Sequence, residues 1–261
     1  MRPIWKGSIG FGLVNIPVRL FAATEDKRLK FRYLHSPCHT PLEYRKFCST
    51  CGNQVPWEEI IRGYEYEKDR FVVLSEEEIE AAAEEKDKII EIEDFVKLKE
   101  VDPIYFQKGY YLAPDTTGKK PYALLKNAMQ ESGKIAIASL VLRSKEIPAA
   151  VRVYKDILLL STMFYPDEVR SINQLPEVPV EEKYGEKELE MAQQLIEGLT
   201  SSFKPEKYQD DYRRRVMEII EDKVQGREVS VPPSPQKEKV TDLVDALEAS
   251  VEKIKKEKVN K

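Results

Sequence analysis

Residues 4–21, IWKGSIGFGLVNIPVRLF, decide what kind of fold the chain starts. Gly7, Gly10 and Gly12 fall within six positions of one another, beside Lys6. A nucleotide-binding loop needs G-x-x-x-x-G-K-[ST], or G-x-G-x-x-G opening a helix. Here the spacing is G-x-x-G-x-G, Lys6 precedes the glycines, and no helix start follows. The chain runs instead into Leu13–Phe21, rich in Val, Ile and Leu. Glycine in such a run marks a bulge, a bend or a close backbone approach. The stretch therefore reads as strand that needs small residues, not as a phosphate cradle.

The β character continues outward from it. Arg70–Leu74, Ile89–Leu98, Tyr105–Leu112, Lys134–Leu142 and Ile157–Tyr165 are rich in branched and aromatic residues, with turn formers between them. Two helices interrupt. Ser75, with Glu78 three residues on, caps one that runs to about Glu85. Tyr122–Glu131 is the other, stopped by Ser132-Gly133. The pattern predicts a mainly β fold with some α, a barrel or sandwich. Beyond Pro179 the period becomes helical, through Leu189, Ala192, Leu195, Leu199 and Phe203, then Tyr208, Tyr212, Val216, Ile219 and Ile220. Pro232-Pro233-Ser234-Pro235 reads as a linker before a third amphipathic stripe, Val240 to Ile254, and a short basic tail.

The chain has 261 residues, 41% apolar and 34% charged, with a formal net charge of -4. A net acidic sum argues weakly against a nucleic-acid partner, but the charge is unevenly spread. Residues 1–50 hold nine Lys/Arg against three Asp/Glu, and residues 51–110 hold eight against seventeen. Residues 134–155 hold five basic residues and one acidic. Such a distribution lets a fold gather positive charge on one surface, although composition alone favours the competing reading of ordinary solvated faces. The longest uncharged run, Gly7 to Val18, is too short to span a bilayer, and no apolar leader opens the chain. The expectation is a soluble, cytoplasmic protein.

All three cysteines and both histidines lie in residues 35–51: His35-x-x-Cys38, His39, then Cys48-x-x-Cys51. A C-x-x-C knuckle offers two thiolates to one metal, and a second pair completes a tetrahedron. His35 repeats the two-residue gap and is preferred to His39, which stays open as the alternative. The reading is a zinc knuckle of His35, Cys38, Cys48 and Cys51, closed by four ligands and so structural. Reduced thiols packed as small apolar residues are the competing reading. With both histidines in this cluster, no imidazole is left for a Ser-His-Asp or Cys-His set, so no catalytic constellation stands out. Lys30 and Arg32 alternate with Phe31 and Tyr33 and would share one strand face. Arg143, Lys145 and Arg152 flank Ile147-Pro148-Ala149-Ala150, read as a gap between strands.

The opening M-R-P-I-W-K-G-S-I-x-F-G-L-V-N-I-P-V-R-L closely resembles the N-terminus of bacterial Ku proteins. So do Gly63–Tyr66, Glu100–Phe106, Tyr110–Pro114, Tyr122–Leu125, Leu142–Lys145, Tyr165–Arg170 and Phe203–Tyr208. Gly10 stands where relatives often carry Ser, and the tail is shorter than in members with lysine-rich extensions. The resemblance implies a Ku-type β-barrel core with a bridge segment over 1–180, carrying the knuckle at 35–51. It implies a helical dimerisation arm over 181–231, then a linker, helix and tail over 232–261. It further implies a homodimeric ring, without catalytic activity, that threads double-stranded DNA ends in non-homologous end joining, recruits DNA ligase D, and is cytoplasmic and nucleoid-associated. Lys27, Lys30, Arg32, Arg143, Lys145 and Arg152 become the expected phosphate contacts. Residues 238–256 become the expected ligase-docking element. The alternative reading is a zinc-knuckle adaptor that binds other proteins only.

Overall fold

The computed structural model describes residues 1–82, 88–142, 145–177, 184–227 and 243–259. It forms two compact units, Met1–Gln174 and Leu175–Lys261. Nine strands occur among the described residues: β1 (Trp5–Phe11), β2 (Val14–Ala22), β3 (Arg62–Glu67), β4 (Arg70–Leu74), β5 (Ile89–Lys97), β6 (Phe106–Pro114), β7 (Lys134–Val141), β8 (Glu146–Tyr154) and β9 (Ile157–Met163). Seven close into a barrel in the order β1-β2-β6-β9-β8-β7-β5. Closure removes the sheet edges that an open β fold must protect. β3 and β4 form a separate hairpin outside it.

The glycines at the start are strand residues. β1 and β2 pair antiparallel through a tight connection in which Gly12 takes φ +57°, a conformation that favours glycine. β1 also pairs with β5, the only parallel pair among the described strands, and that seam closes the barrel. Ser8 N–H donates to the Lys88 carbonyl at 2.8 Å. A Cβ on Gly7 would overlap that carbonyl and the Trp5 ring, so only glycine fits.

Alternation along each strand fills the barrel. Ile9, Ile16, Val18, Leu20, Ile90, Leu112, Leu140, Val151, Leu158 and Leu160 are fully buried. Helix α1 (Glu76–Ala82) starts at the expected capping box: Ser75 Oγ accepts from Glu78 N–H at 3.1 Å, and Glu78 Oε2 accepts from Ser75 N–H at 2.8 Å. Its expected end at about Glu85 lies outside the described residues. Helix α2 (Lys119–Ser132) lies across one open end of the barrel. It packs against β2, β7 and β8, which are not all neighbours in the ring, and it buries Tyr122, Leu125 and Met129. Tyr122 Oη donates to the Leu112 carbonyl at 2.6 Å and accepts from Leu158 N–H at 2.8 Å. It thereby ties β6 to β9. Burial raises this phenol above its ordinary pKa.

Two readings of the basic segments need correction. Residues 146–154 are β8, a barrel strand, not a gap. Pro148 is tolerated because it pairs with Ser139 of β7 while β8–β9 pairing starts only at Ala149, so no ladder donor is missed on that side. Lys30–Tyr33, expected to enter a strand, form none; the first pairing there is an isolated bridge at Leu34. β3, RGYEYE, was not legible as a strand because acidic residues take alternate positions and none of it is buried.

In the second unit, helix α3 (Glu186–Leu199) ends before Phe203: the chain turns extended at Thr200, and Lys204, before Pro205, is extended as well. Helix α4 (Asp211–Val224) starts at Asp210, whose side chain accepts from Arg213 N–H, so Tyr208 of the helical stripe lies before it. Helix α5 (Leu243–Val259) packs against α3, with a Lys187–Glu248 ion pair at 3.0 Å. The expected 180/181 boundary and the Pro232–Pro235 linker lie outside the described residues.

Gly7→Ala is expected to destabilise the barrel by at least about 1–3 kcal/mol, since the added methyl must push apart the β1–β5 seam. Urea denaturation measures it; unchanged stability would contradict the close approach.

Candidate nucleic-acid interface

The chain leaves the barrel after Ala22 and returns at Ile89. Both ends of this excursion are pinned. Ala23 N–H donates to the Gly109 carbonyl at 3.0 Å, and the Lys88 carbonyl accepts from Ser8. Between them none of the described residues is buried. Phe31 is 70% exposed, Tyr44 81% and Trp57 75%. A segment that cannot bury its own large apolar side chains is an interaction surface.

Its cations divide into two groups. Lys27 pairs with Glu25 at 2.6 Å. Arg28 grips both carboxylate oxygens of Asp26 at 2.8–3.0 Å and lowers that carboxyl to about 2; the Arg28 amide adds to this. Arg45, Arg62 and Arg70 pair with Glu43, Glu76 and Glu67. Lys30 and Arg32 are exposed and form no ion pair among the described residues. Lys46, which sequence reading passed over, sits over the Trp57 ring at 4.5 Å. Lys27 is thus held by a local carboxylate; Lys30 and Arg32 form no ion pair among the described residues, although Lys30 lies near enough to Asp26 to help lower its carboxyl.

The other three expected contacts do not form one cluster. Lys145 is exposed in the β7–β8 turn, where it exchanges backbone hydrogen bonds with Leu142. Arg152 lies seven residues on, roughly 20 Å away along an extended strand. It sits over the Tyr154 ring at 5.3 Å and lines a cleft of about 760 Å³ shared with Lys99, Glu100 and Asp102. Carboxylates on that cleft weaken it as a phosphate site. Arg143 lies outside the described residues.

The cysteine segment folds into two matching turns. Leu34 bridges Pro41, and Phe47 bridges Gln54. In the first, His35 N–H donates to the Thr40 carbonyl and His39 N–H to the His35 carbonyl. In the second, Cys48 N–H donates to the Asn53 carbonyl and Gly52 N–H to the Cys48 carbonyl. His39 and Gly52 take the same left-handed conformation, φ +54° and +71°. The repeat sets His35 and Cys38 in register with Cys48 and Cys51. His39 corresponds to Gly52 and is the left-handed turn residue of its loop. His35 Nδ1 lies 3.0 Å from Cys38 Sγ. The Thr40 hydroxyl lowers the Cys38 thiol, and the Cys51 and Thr50 amides lower Cys48, both favouring thiolate. Each turn brings its two side chains together, His35 with Cys38 and Cys48 with Cys51. Among the described residues, however, no three His, Cys, Asp or Glu side chains gather closely enough to hold one ion.

In the second unit, α3 turns Met191, which is buried, with Ala192 and Leu195, toward α5. Ile196, Leu199, Tyr208, Tyr212 and Val224 remain exposed. No helix among the described residues is long and apolar enough to cross a membrane.

Residues 10–191 match the family profile described as the Ku70/Ku80 beta-barrel domain. The chain is also similar to curated relatives called non-homologous end joining protein Ku. That of Heliobacterium modesticaldum is 48% identical over 98% of this chain and 93% of its own length. Those of Bacillus subtilis and Desulfitobacterium hafniense are each 45% identical, over 98% and 96% of this chain and 83% and 87% of theirs.

The Arg28 fork predicts that Asp26 titrates at about 2. A carboxyl depressed in the folded state contributes stability above its ordinary pKa and loses it as pH falls through the folded value. Arg28→Gln should return Asp26 toward 3.8 in a carboxyl-detected NMR titration; an unmoved midpoint would contradict the pairing.

Proposed function

The chain belongs to the Ku family, and on that premise we propose that it binds the ends of double-stranded DNA in non-homologous end joining, as a homodimeric ring gripping the phosphate backbone. It is a structural DNA-binding protein, not an enzyme. One observation carries the reading: the pinned excursion of residues 23–88 buries none of its described side chains yet carries aromatic residues and, in Lys30 and Arg32, cations that form no ion pair among the described residues. Such a surface needs a second copy and a polyanion to cover it. The exposed stripes of α3 and α4 supply further apolar area for the partner copy.

Contacts to phosphates alone read no sequence. Affinity then comes from counterion release, and with about 6–10 phosphate contacts it falls roughly 10³ to 10⁵ between 50 and 200 mM salt. Lys30 and Arg32 are the contacts best placed to act, since no carboxylate pairs with either among the described residues. Lys145 contributes from the barrel turn. Lys27 and Arg152 act only once their acidic neighbours are displaced, and Arg143 completes the set. Closed topology supplies end preference: a duplex enters a ring only at a terminus, then slides.

Three thiolates and one imidazole match structural zinc, and Cys38, Cys48, Cys51 and His35 would hold it. The ion would join the two turns, closing the segment that lacks a core of its own. DNA ligase D is the proposed enzymatic partner. Because α5 already packs against α3, its charged side is the surface that remains for the ligase. The site of action is the cytoplasm, at the nucleoid.

Gel shifts with linear duplexes of unrelated sequence test the reading against the protein-only adaptor, which would shift none. Lys30→Glu with Arg32→Glu should weaken binding to every duplex and flatten its salt dependence. Unchanged binding would remove those residues from the interface. Metal analysis of protein purified without added zinc should find about one zinc per chain, and Cys48→Ser should lower it; a value near zero in the unmodified protein would retire the ligand set.

A further inference from the structure

Arg19 lies at the centre of β2, on the opposite face from buried Ile16, Val18 and Leu20. Its Nε is buried and finds no acceptor among the described residues. Its Nη2 donates to the Pro114 carbonyl at 3.5 Å, the long limit for such a bond. Arg19 is half-buried, and its Nε has lost water without gaining an acceptor, which is costly. Nothing described in the sheet supplies a counter-charge. Directly opposite on β6 is Ala113, and directly opposite on β1 is Lys6. Like charges facing each other across a strand pair are destabilising. Lys6 is exposed and forms no ion pair among the described residues. Asp115, just past the end of β6, is turned to the Thr116 amide, whose N–H it accepts at 2.8 Å.

An orphaned donor and an unshielded like-charge pair, held by rigid strands, fit an anion with several oxygens. We propose that Lys6 and Arg19 form a phosphodiester-binding site on the outer face of the barrel and grip the DNA backbone there. The inference rests on the end-binding reading above. Arg19 supplies a planar fork to two phosphate oxygens, and Lys6 supplies a mobile point charge beside it. Strand placement fixes the spacing, unlike the unpaired coil that carries Lys30 and Arg32.

The full-length protein tests it through three variants, Lys6→Gln, Arg19→Lys and Arg19→Met, measured for affinity to a linear duplex from 50 to 200 mM salt. Lys6→Gln and Arg19→Met should each weaken binding to all sequences and reduce the slope of log affinity against log salt by about 1 for each phosphate no longer held. Arg19→Lys should restore part of the affinity. The proposal expects Arg19→Met to leave the melting temperature at or above the parent's, because the change removes an unsatisfied buried Nε, whereas a purely structural arginine would lower it. Slopes equal to the parent's in Lys6→Gln and Arg19→Met overturn the site and leave the end-binding reading intact. So does a melting temperature that falls in Arg19→Met while Lys6→Gln binds like the parent. Inorganic phosphate that raises the parent's melting temperature while the DNA slopes stay unchanged also overturns it, by assigning the pair to a small free anion. A parent protein that binds no duplex at any salt overturns the end-binding reading itself.

Discussion

The parallel seam between β1 and β5 governs the rest of the molecule. It closes the barrel, and the same pairing brings residues 88 and 89 back beside Ser8 after a 66-residue excursion. The other foot, Ala23, is pinned to Gly109 of β6. An excursion fixed at both ends pays much less entropy to adopt one shape than a free tail would. Gly7 makes the seam possible, because its missing side chain admits the Lys88 carbonyl. The glycines that resemble a nucleotide loop at first sight therefore serve closure.

Outside the barrel, two described stretches leave large apolar side chains on the surface. Residues 23–88 expose rings and aliphatic side chains that a self-sufficient domain would bury, and α4 buries no residue. The electrostatics follow the same division. Arg28, Arg45, Arg62 and Arg70 are each tied to a neighbouring carboxylate, which helps reconcile an acidic chain with an anionic partner. Lys30, Arg32, Lys145, Lys6 and the half-buried Arg19 form no ion pair among the described residues, and the proposed interface draws on them. Exposed pairs of this kind contribute little stability, so those arginines serve to mask charge more than to hold the fold.

Much of this was legible from residue patterns, for identifiable reasons. β2, β4, β5, β6, β7 and β9 announced themselves because branched residues run between clear turns. Ser75 and Glu78 specified a helix start because a capping box is local chemistry. β8 was hidden by Pro148, whose tolerance depends on where its partner strand stops pairing, a fact about another part of the chain. The separation of Lys145 from Arg152 was hidden for the same reason: nearness in sequence became strand length. The family followed from long motifs, whereas Arg19 did not, since an unpaired guanidinium is visible only once its neighbours are known. The equivalence of His35 with Cys48, and of His39 with Gly52, likewise emerged only from backbone hydrogen bonds and left-handed dihedrals.

The proposed function is topological: two copies would enclose the duplex completely, so that a terminus is required for entry. Competition of one plasmid against a labelled linear duplex tests it directly, using the covalently closed form and the same plasmid cut once. The account predicts strong competition from the cut plasmid and little from the closed circle at equal mass. Equal competition by the two forms would contradict it.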